Sequence, residues 1–497
     1  MRKKHRKERF EVLKVAKKYD RETGKFFIDI RYRIQTEITP RTTAVAEAFG
    51  LGIDEFQERV IYDNAELKIG PGDIVYITGE SGSGKSVLLK ALENDLGVAN
   101  VINIRDIAVD SDKPLIDMVG ETFQQSLTLL SKVGLSDAFL FLRRYSQLSE
   151  GQKYRFKLAK LIESGKQYWI ADEFCSTLDR DTAKIVAFNV QKLARKNNRT
   201  VLVATAHDDL LEDLAPSVYI RKETGKKLEV KYLPNKTNRV CSVTRDMHIE
   251  EGSRGDYKKL AGFHYRGSSV PPPLKFFALK RSEEVVGVIV YSYPSIITFG
   301  RRKAFGRQIP VSELNRRFAL ISRVILHPKY RSIGLGARLV KETLPLVGRP
   351  FVEAVAVMAR YNPFFEAAGM TKIAESKPDK TLIQAVEELR GLGFNPVTLA
   401  SETANRRKLQ KMNASEIEEC RRALMIISAG YFKRLKATSK AYVKRSEFRE
   451  FIGKATVGTL AKVLRRVAVL TQTKVYLLWR SPCFGKIFCG GAELEGC

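Results

Sequence analysis

The sequence predicts an α/β chain of several domains, and three observations carry that expectation. Residues 74–92 read as a short apolar strand, a glycine-rich loop and a helix, and residues 321–340 repeat that order. Beyond residue 379 the chain is strongly basic, with apolar residues at helical spacing. At 497 residues and 44% hydrophobic content it is long enough for about three domains with real cores.

Ile74-Val75-Tyr76-Ile77-Thr78 is a β-branched, apolar strand candidate that runs into Gly79-Glu80-Ser81-Gly82-Ser83-Gly84-Lys85-Ser86-Val87. Glycines let successive backbone N–H groups curl round a phosphate. Lys85 can meet the β and γ phosphates, Ser86 can ligate Mg²⁺, and the helix that follows offers its positive end. Downstream, Tyr168-Trp169-Ile170-Ala171 is a buried-strand run ending in Asp172-Glu173. That arrangement delivers one carboxylate to hold Mg²⁺, Asp172, and one to act as general base on water, Glu173. Leu148-Ser149-Glu150-Gly151-Gln152 precedes that strand, Ser176-Thr177-Leu178-Asp179 follows it, and His207 comes after a further apolar run, Thr200 to Thr205.

In this order the motifs resemble an ABC-type ATPase domain with a P-loop NTPase fold, over about residues 50–235. The resemblance implies that Lys85, Glu173 and His207 are catalytic, His207 as the switch at the γ-phosphate. It makes Ser149, Gly151 and Gln152 the signature and Asp179 the D-loop residue. Phe56 is the preferred adenine-stacking aromatic, with Tyr62 its competitor, and the Q-loop residue is Gln124 or Gln125. Two departures stand out: Glu150 replaces the usual middle glycine of the signature, and the stretch from Ser86 to Leu148 is short. Because a signature completes the opposite domain's site and the chain has one complete set, the resemblance implies a head-to-tail homodimer.

The second anion cradle is Ile321 to Leu326 followed by His327-Pro328-Lys329-Tyr330-Arg331-Ser332-Ile333-Gly334-Leu335-Gly336 and a helix. It resembles the acetyl-CoA motif of the GNAT acyltransferase superfamily, with Asn362-Pro363-Phe364-Phe365 in the next motif. Over about 241–375 this implies splayed strands with Val324 and Ile325 against acetyl-CoA. Arg331, Ile333, Gly334, Leu335 and Gly336 would hold its pyrophosphate, with Asn362 nearby. Phe365 stands where many relatives carry a tyrosine acid. Tyr361 could substitute for it, and His327 could serve as base or be a turn residue.

The expected organisation is a basic N-terminal extension (1–49), the ATPase (50–235), an α+β acyltransferase (241–378) and a basic, mainly helical region (379–497). The turn-rich Leu233 to Arg239 marks the first junction. No run approaches the roughly 20 apolar residues of a membrane span, and no signal peptide follows Met1, so a cytoplasmic protein is expected. Six cysteines without regular spacing fit a reducing compartment. Cys175 is expected as buried filler and the Cys483, Cys489, Cys497 cluster as no metal site.

A net charge of +30, from 86 basic and 56 acidic residues, points to an anionic polymer as partner. Basic doublets from Arg406-Arg407 to Arg465-Arg466 are interleaved with Tyr431, Phe432, Tyr442, Phe448 and Phe451, which favours nucleic acid over a solvated helical unit. The expected function is an ATP-hydrolysing dimer fused to an acetyl-CoA-dependent transferase acting on nucleic acid or an associated protein. The alternatives are a transporter's ATP-binding subunit, or an ATPase with an acyl-CoA-sensing domain.

Overall fold

The computed structural model describes residues 10–20, 22–34, 38–52, 57–97, 99–264, 270–436, 438, 440 and 442–482. The chain divides into two compact units. One comprises 1–268, 278–288 and 325–336, the other 269–277, 289–324 and 337–497.

The first unit begins with an antiparallel three-stranded sheet, β1 (Phe10–Asp20), β2 (Lys25–Ile34) and β3 (Gln57–Lys68), in that order. Phe26, Ile28 and Ile30 alternate inward along β2. With Ile61, Tyr62 and Leu67 they join Val75, Ile77, Leu88 and Leu92 in one core. Residues read from sequence as a basic extension, 1–49, thus form two strands, and β2 with Tyr19 of β1 packs on this core. The many lysines and arginines of this stretch masked the alternation in the sequence.

A six-stranded sheet follows, with β4 (Ile74–Thr78), β5 (Val101–Asn103), β6 (Tyr168–Ala171), β7 (Thr200–Ala204), β8 (Val218–Lys222) and β9 (Leu228–Tyr232). Their order is β5-β6-β7-β4-β8-β9, parallel except for the last pair. The central strands are apolar throughout because both faces are covered. On the face opposite the three-stranded sheet, Trp169, Phe156, Phe174 and Val186 pack with the helices Glu150–Glu163 and Arg180–Lys196. Parallel strands place their following loops at one edge, so the segments after β4, β6 and β7 emerge side by side.

Seven further strands form a third sheet: β10 (Met247–Glu251), β11 (Pro273–Arg281), β12 (Glu284–Ser292), β13 (Phe318–Leu326), β14 (Phe351–Ala356), β15 (Thr371–Ser376) and β16 (Lys474–Arg480). The order is β10-β11-β12-β13-β14-β16-β15. β13 and β14 are parallel and paired from Phe318↔Phe351 to Ile321↔Ala354, although both strands run on. β16 lies antiparallel between β14 and β15. The sheet begun within 241–378 is therefore completed from beyond residue 470, across the boundary expected at 378/379.

Between β15 and β16, the helices Lys380–Gly391, Glu402–Leu409, Ala414–Met425, Arg445–Gly453 and Val457–Leu470 enclose their own core. Leu382, Cys420, Leu424, Leu460 and Val467 lie at its centre. In the sheet, Glu353 on β14 is fully buried and ion-paired with Arg301 at 2.6 Å, while Tyr476 on β16 donates to it at 3.1 Å. Among the described residues no helix is long and apolar enough to cross a membrane.

Candidate nucleotide site

The loop after β4 is shaped by its glycines. A Cβ on Gly79 would stand 1.9 Å from the carbonyl oxygen of Lys222, so no side chain fits there. The helix Lys85–Leu96 begins at Gly84 with no side chain capping its first turn, which leaves its N–H groups facing outward. Lys85 donates to the carbonyls of Gly79, at 2.8 Å, and Glu80, at 2.6 Å. Burial lowers its pKa, opposed by the charges of Glu173 and Asp172. Ser83 is buried, its Oγ without a partner among the described residues. A phosphate group suits such a hydroxyl. Ser81, Gly82 and Ser86 are exposed, with Val87 half-buried behind them.

At the end of β6 the Asp172 side chain is 3% exposed and Glu173 is exposed, held in the left-handed region at φ 52°. The amide of Glu173 donates to Asp172 Oδ1 at 3.0 Å. His207 is exposed beyond β7, its carbonyl accepting from the Tyr76 hydroxyl at 2.5 Å. Lys85, Asp172, Glu173 and His207 thus issue from the C-terminal edge of neighbouring strands.

Arg105, which sequence reasoning missed, pairs with Asp172. It lies just past β5, in a short helical turn capped by Asn103. Its signal was positional: β5 is the parallel neighbour of β6, so the residue after its end falls beside Asp172. The two Q-loop candidates lie elsewhere, on the exposed start of the helix Phe123–Lys132, where Gln125 accepts from the amide of Thr122 at 3.1 Å. Phe56 is outside the described residues. Tyr62 is 1% exposed and donates to the carbonyl of Gly84, which makes it part of the core under the loop.

Ser149 caps the helix Glu150–Glu163 and forms a reciprocal capping box with Gln152. A Cβ on Gly151 would meet Leu178 Cδ2 at 3.2 Å and the carbonyl of Thr177 at 3.3 Å, so glycine permits close packing on the segment before Asp179. Glu150 points its charge to Lys153, at 2.8 Å. Asp179 caps the helix Arg180–Lys196, and the next residue, Arg180, donates to Asp209 at 2.9 Å, two residues past His207.

In the second glycine loop, Ser332 and Gly334 have φ of 72° and 88°, and the helix Leu335–Thr343 follows. Arg331 donates to the carbonyls of Leu326, at 3.0 Å, and Ser136, at 2.7 Å. His327 caps a short turn by accepting from the amide of Lys329, and burial lowers its pKa. On β13, Val324 is half-buried and Ile325 buried. Ile333 and Gly336 are half-buried, Leu335 is buried, and Asn362 is exposed. Phe365 is buried against Phe364.

In the helical region, Phe432 and Phe448 stack on each other in the core, 4.2 Å apart, and are not free to stack on bases. Arg421 donates to the carbonyls of Gly453 and Ala455, a staple between two helices. Exposed basic residues remain at Arg407, Arg422, Lys433, Arg434 and Lys444. Cys175 is fully buried, its thiol pushed well above the usual range by desolvation. Cys483, Cys489 and Cys497 lie outside the described residues.

Residues 62–176 match the ABC transporter family. The chain is 28% identical over 204 residues to the methionine import ATP-binding protein MetN 1 of Oenococcus oeni, spanning 34% of this chain and 57% of that protein. It thus spans little more than half the length of that relative. It is 32% identical over 168 residues to the cytochrome c biogenesis ATP-binding export protein CcmA of Gluconobacter oxydans, covering 30% of this chain and 75% of that one. Among solved structures, the dimeric structure of MJ0796, a bacterial ABC transporter cassette, aligns at 18% identity with a TM-score of 0.30, over 36% of this chain and 93% of that one. On the family match and the likeness to CcmA, this chain belongs to the ABC transporter ATPase family.

Proposed function

We propose that the chain is a cytoplasmic enzyme that binds and hydrolyses ATP with Mg²⁺ as a homodimer, and that its second domain binds acetyl-CoA. The observation that carries the first part is the convergence of Lys85, Asp172, Glu173 and His207 on one sheet edge, beside an uncapped helix start. Ser86 and Asp172 would hold the cation, which offsets phosphate charge when bound. Glu173 accepts the proton of the attacking water, and Lys85, already desolvated, meets the phosphates. Ser149 and Gly151 complete the site of the second chain, two composite sites per dimer.

Support for acetyl-CoA comes from the strand, loop and helix after β13. The β13–β14 pairing ends at Ile321 and Ala354 while both strands continue, which supports a splay of the kind a pantetheine would need. The side chain of Arg331 is engaged by carbonyls, so the pyrophosphate falls to the main chain of Arg331, Ile333, Gly334, Leu335 and Gly336. Val324 and Ile325 would line the pantetheine, with Asn362 beyond. Transfer needs a proton donor other than Phe365, and Tyr361 is the nearest in sequence. The burial of Phe365 favours the second reading, a domain that binds acyl-CoA without transfer. Gly334→Val in the full chain is expected to abolish coenzyme A binding by calorimetry and to leave ATP binding in place, because φ 88° suits glycine. Unchanged affinity for coenzyme A overturns the acyl-CoA reading.

The acyl acceptor, on this proposal, is nucleic acid or a protein bound to it, drawn by the exposed basic residues of the helical region. The fair test spares Arg421 and reverses Arg422, Lys433, Arg434 and Lys444 to Glu. DNA or RNA affinity should fall and its log-log salt slope flatten by about 0.7 to 0.9 for each phosphate no longer neutralised. Binding indifferent to both salt and the four changes rejects a nucleic-acid partner.

A further inference from the structure

Lys329 precedes the second glycine loop by sequence, yet its ammonium group belongs to the nucleotide site's surroundings. Its Nζ lies 2.8 Å from Asp179 Oδ1 and 3.0 Å from Asp181 Oδ2. Arg281 donates to the same oxygen of Asp181 at 2.8 Å, and the hydroxyl of Tyr330 lies 3.4 Å from it. Further along the segment, Arg331 donates to Ser136 and Asn189 donates to Ser332 Oγ at 3.0 Å. The stretch from Pro328 to Ser332 is therefore seated along the helix Arg180–Lys196, from its cap to Asn189, and on Ser136 before the signature.

Three consecutive residues at that helix start are held in two directions. Asp179 and Asp181 are held by Lys329, and Arg180, between them, by Asp209 on the segment carrying His207. Asp179 also accepts from Thr182, through its hydroxyl at 2.6 Å and its amide at 3.2 Å, so its carboxylate cannot move without disturbing the cap. Burial pushes the Asp179 and Asp181 carboxyls up, but the hydrogen bonds given by Lys329, with Thr182 or Arg281, hold both below the ordinary carboxylate range. Without Lys329, the two carboxylates lose the cation that bridges them, leaving Arg281 on Asp181 and the charge of Arg155 near Asp179. They would settle at a different spacing, carrying Arg180, Asp209 and the His207 segment with them.

We propose that Lys329 is a positioning residue for ATP hydrolysis, a side chain from the acyltransferase-like region that fixes the D-loop Asp179 and, through Arg180 and Asp209, the placement of His207. The proposal rests on the ATPase reading above. Small displacements of groups that act on the reacting phosphate are costly to turnover and cost little in nucleotide binding. Lys329→Met in the full chain should lower kcat for ATP about tenfold and leave KM within about twofold. Lys329→Arg should restore most of the rate, since a guanidinium can also bridge two carboxylates. Arg281→Met, which removes a partner of Asp181 and of the Tyr330 hydroxyl but none of Asp179's hydrogen bonds, should stay within about twofold of the parent and controls for a general loosening of this segment. Should Lys329→Met be recovered unfolded, Lys329→Gln replaces it with the same expectations.

A kcat for Lys329→Met equal to the parent's, an equal loss in Arg281→Met, or no rescue by Lys329→Arg overturns the proposal. A parent that hydrolyses no ATP overturns the ATPase reading and this proposal together. An active parent with an indifferent Lys329 variant overturns this proposal alone.

Discussion

Replacing Glu173 by Gln is expected to lower ATP turnover by at least about 100-fold, the usual scale for removing a general base, while ATP still binds. The substitution is nearly isosteric, so the left-handed backbone at residue 173 and the amide bond to Asp172 are unchanged. What is lost is a carboxylate exposed at the sheet edge, next to Asp172, whose own side chain is buried and engaged by Arg105. With ATP bound and hydrolysis blocked, the two chains should stay closed, doubling the mass seen by light scattering in Mg²⁺-ATP. A variant that turns over at the parental rate would remove Glu173 from the base role, and a trapped monomer would count against shared sites.

Arg301→Met should destabilise the third sheet by about 3–5 kcal/mol, because it strands a buried carboxylate without its cation. Glu353 has no exposed side-chain surface and Arg301 only 6%. The arginine also holds the carbonyls of Ser295, at 2.9 Å, and Ile296, at 3.0 Å. Burial raises the Glu353 carboxyl above its ordinary pKa, with Arg301 pulling the other way. A carboxyl raised in the folded state contributes stability below its unfolded pKa and loses it as pH rises through the folded value. Removing Arg301 raises the folded value further, so the penalty should be largest at neutral and alkaline pH and shrink as the pH falls toward the ordinary carboxylate range. The chain has two tryptophans, and Trp169→Phe leaves Trp479 on β16 to report this sheet alone. Denaturant unfolding read by that fluorescence measures the effect; a penalty under about 1 kcal/mol, or one flat with pH, would mean the pair is dispensable.

The nucleotide edge was legible because its chemistry is written in short contiguous runs. A β-branched run, a glycine loop and a helix start need no distant information, and neither do β6 and β7. Arg105 was not legible, because its meaning depends on β5 lying next to β6, a pairing between distant stretches of chain that no local pattern carries. The tail misled for a related reason. Alternating aromatics and arginines look alike whether the rings face bases or each other, and only the fold shows Phe432 on Phe448 and Arg421 tied to Gly453. β1 and β2 were hidden by the basic composition of the first residues, and β16 by its distance from the sheet it completes.

The place of β16 has a consequence for how the chain acquires its structure. During synthesis β14 and β15 emerge without the strand that belongs between them, and each exposes an open edge until residue 480 has left the ribosome. A flexible segment of roughly 100 residues would oppose closure by about 4 kcal/mol in the length-dependent part of its entropy alone. The helical block removes much of that cost. It has a core of its own and can fold first, turning a floppy connection into a rigid body whose two ends lie together, as the direct pairing of Ser376 with Lys474 records. The basic helical region is thus built to serve the sheet as a splint, holding the ends of β15 and β16 where they pair.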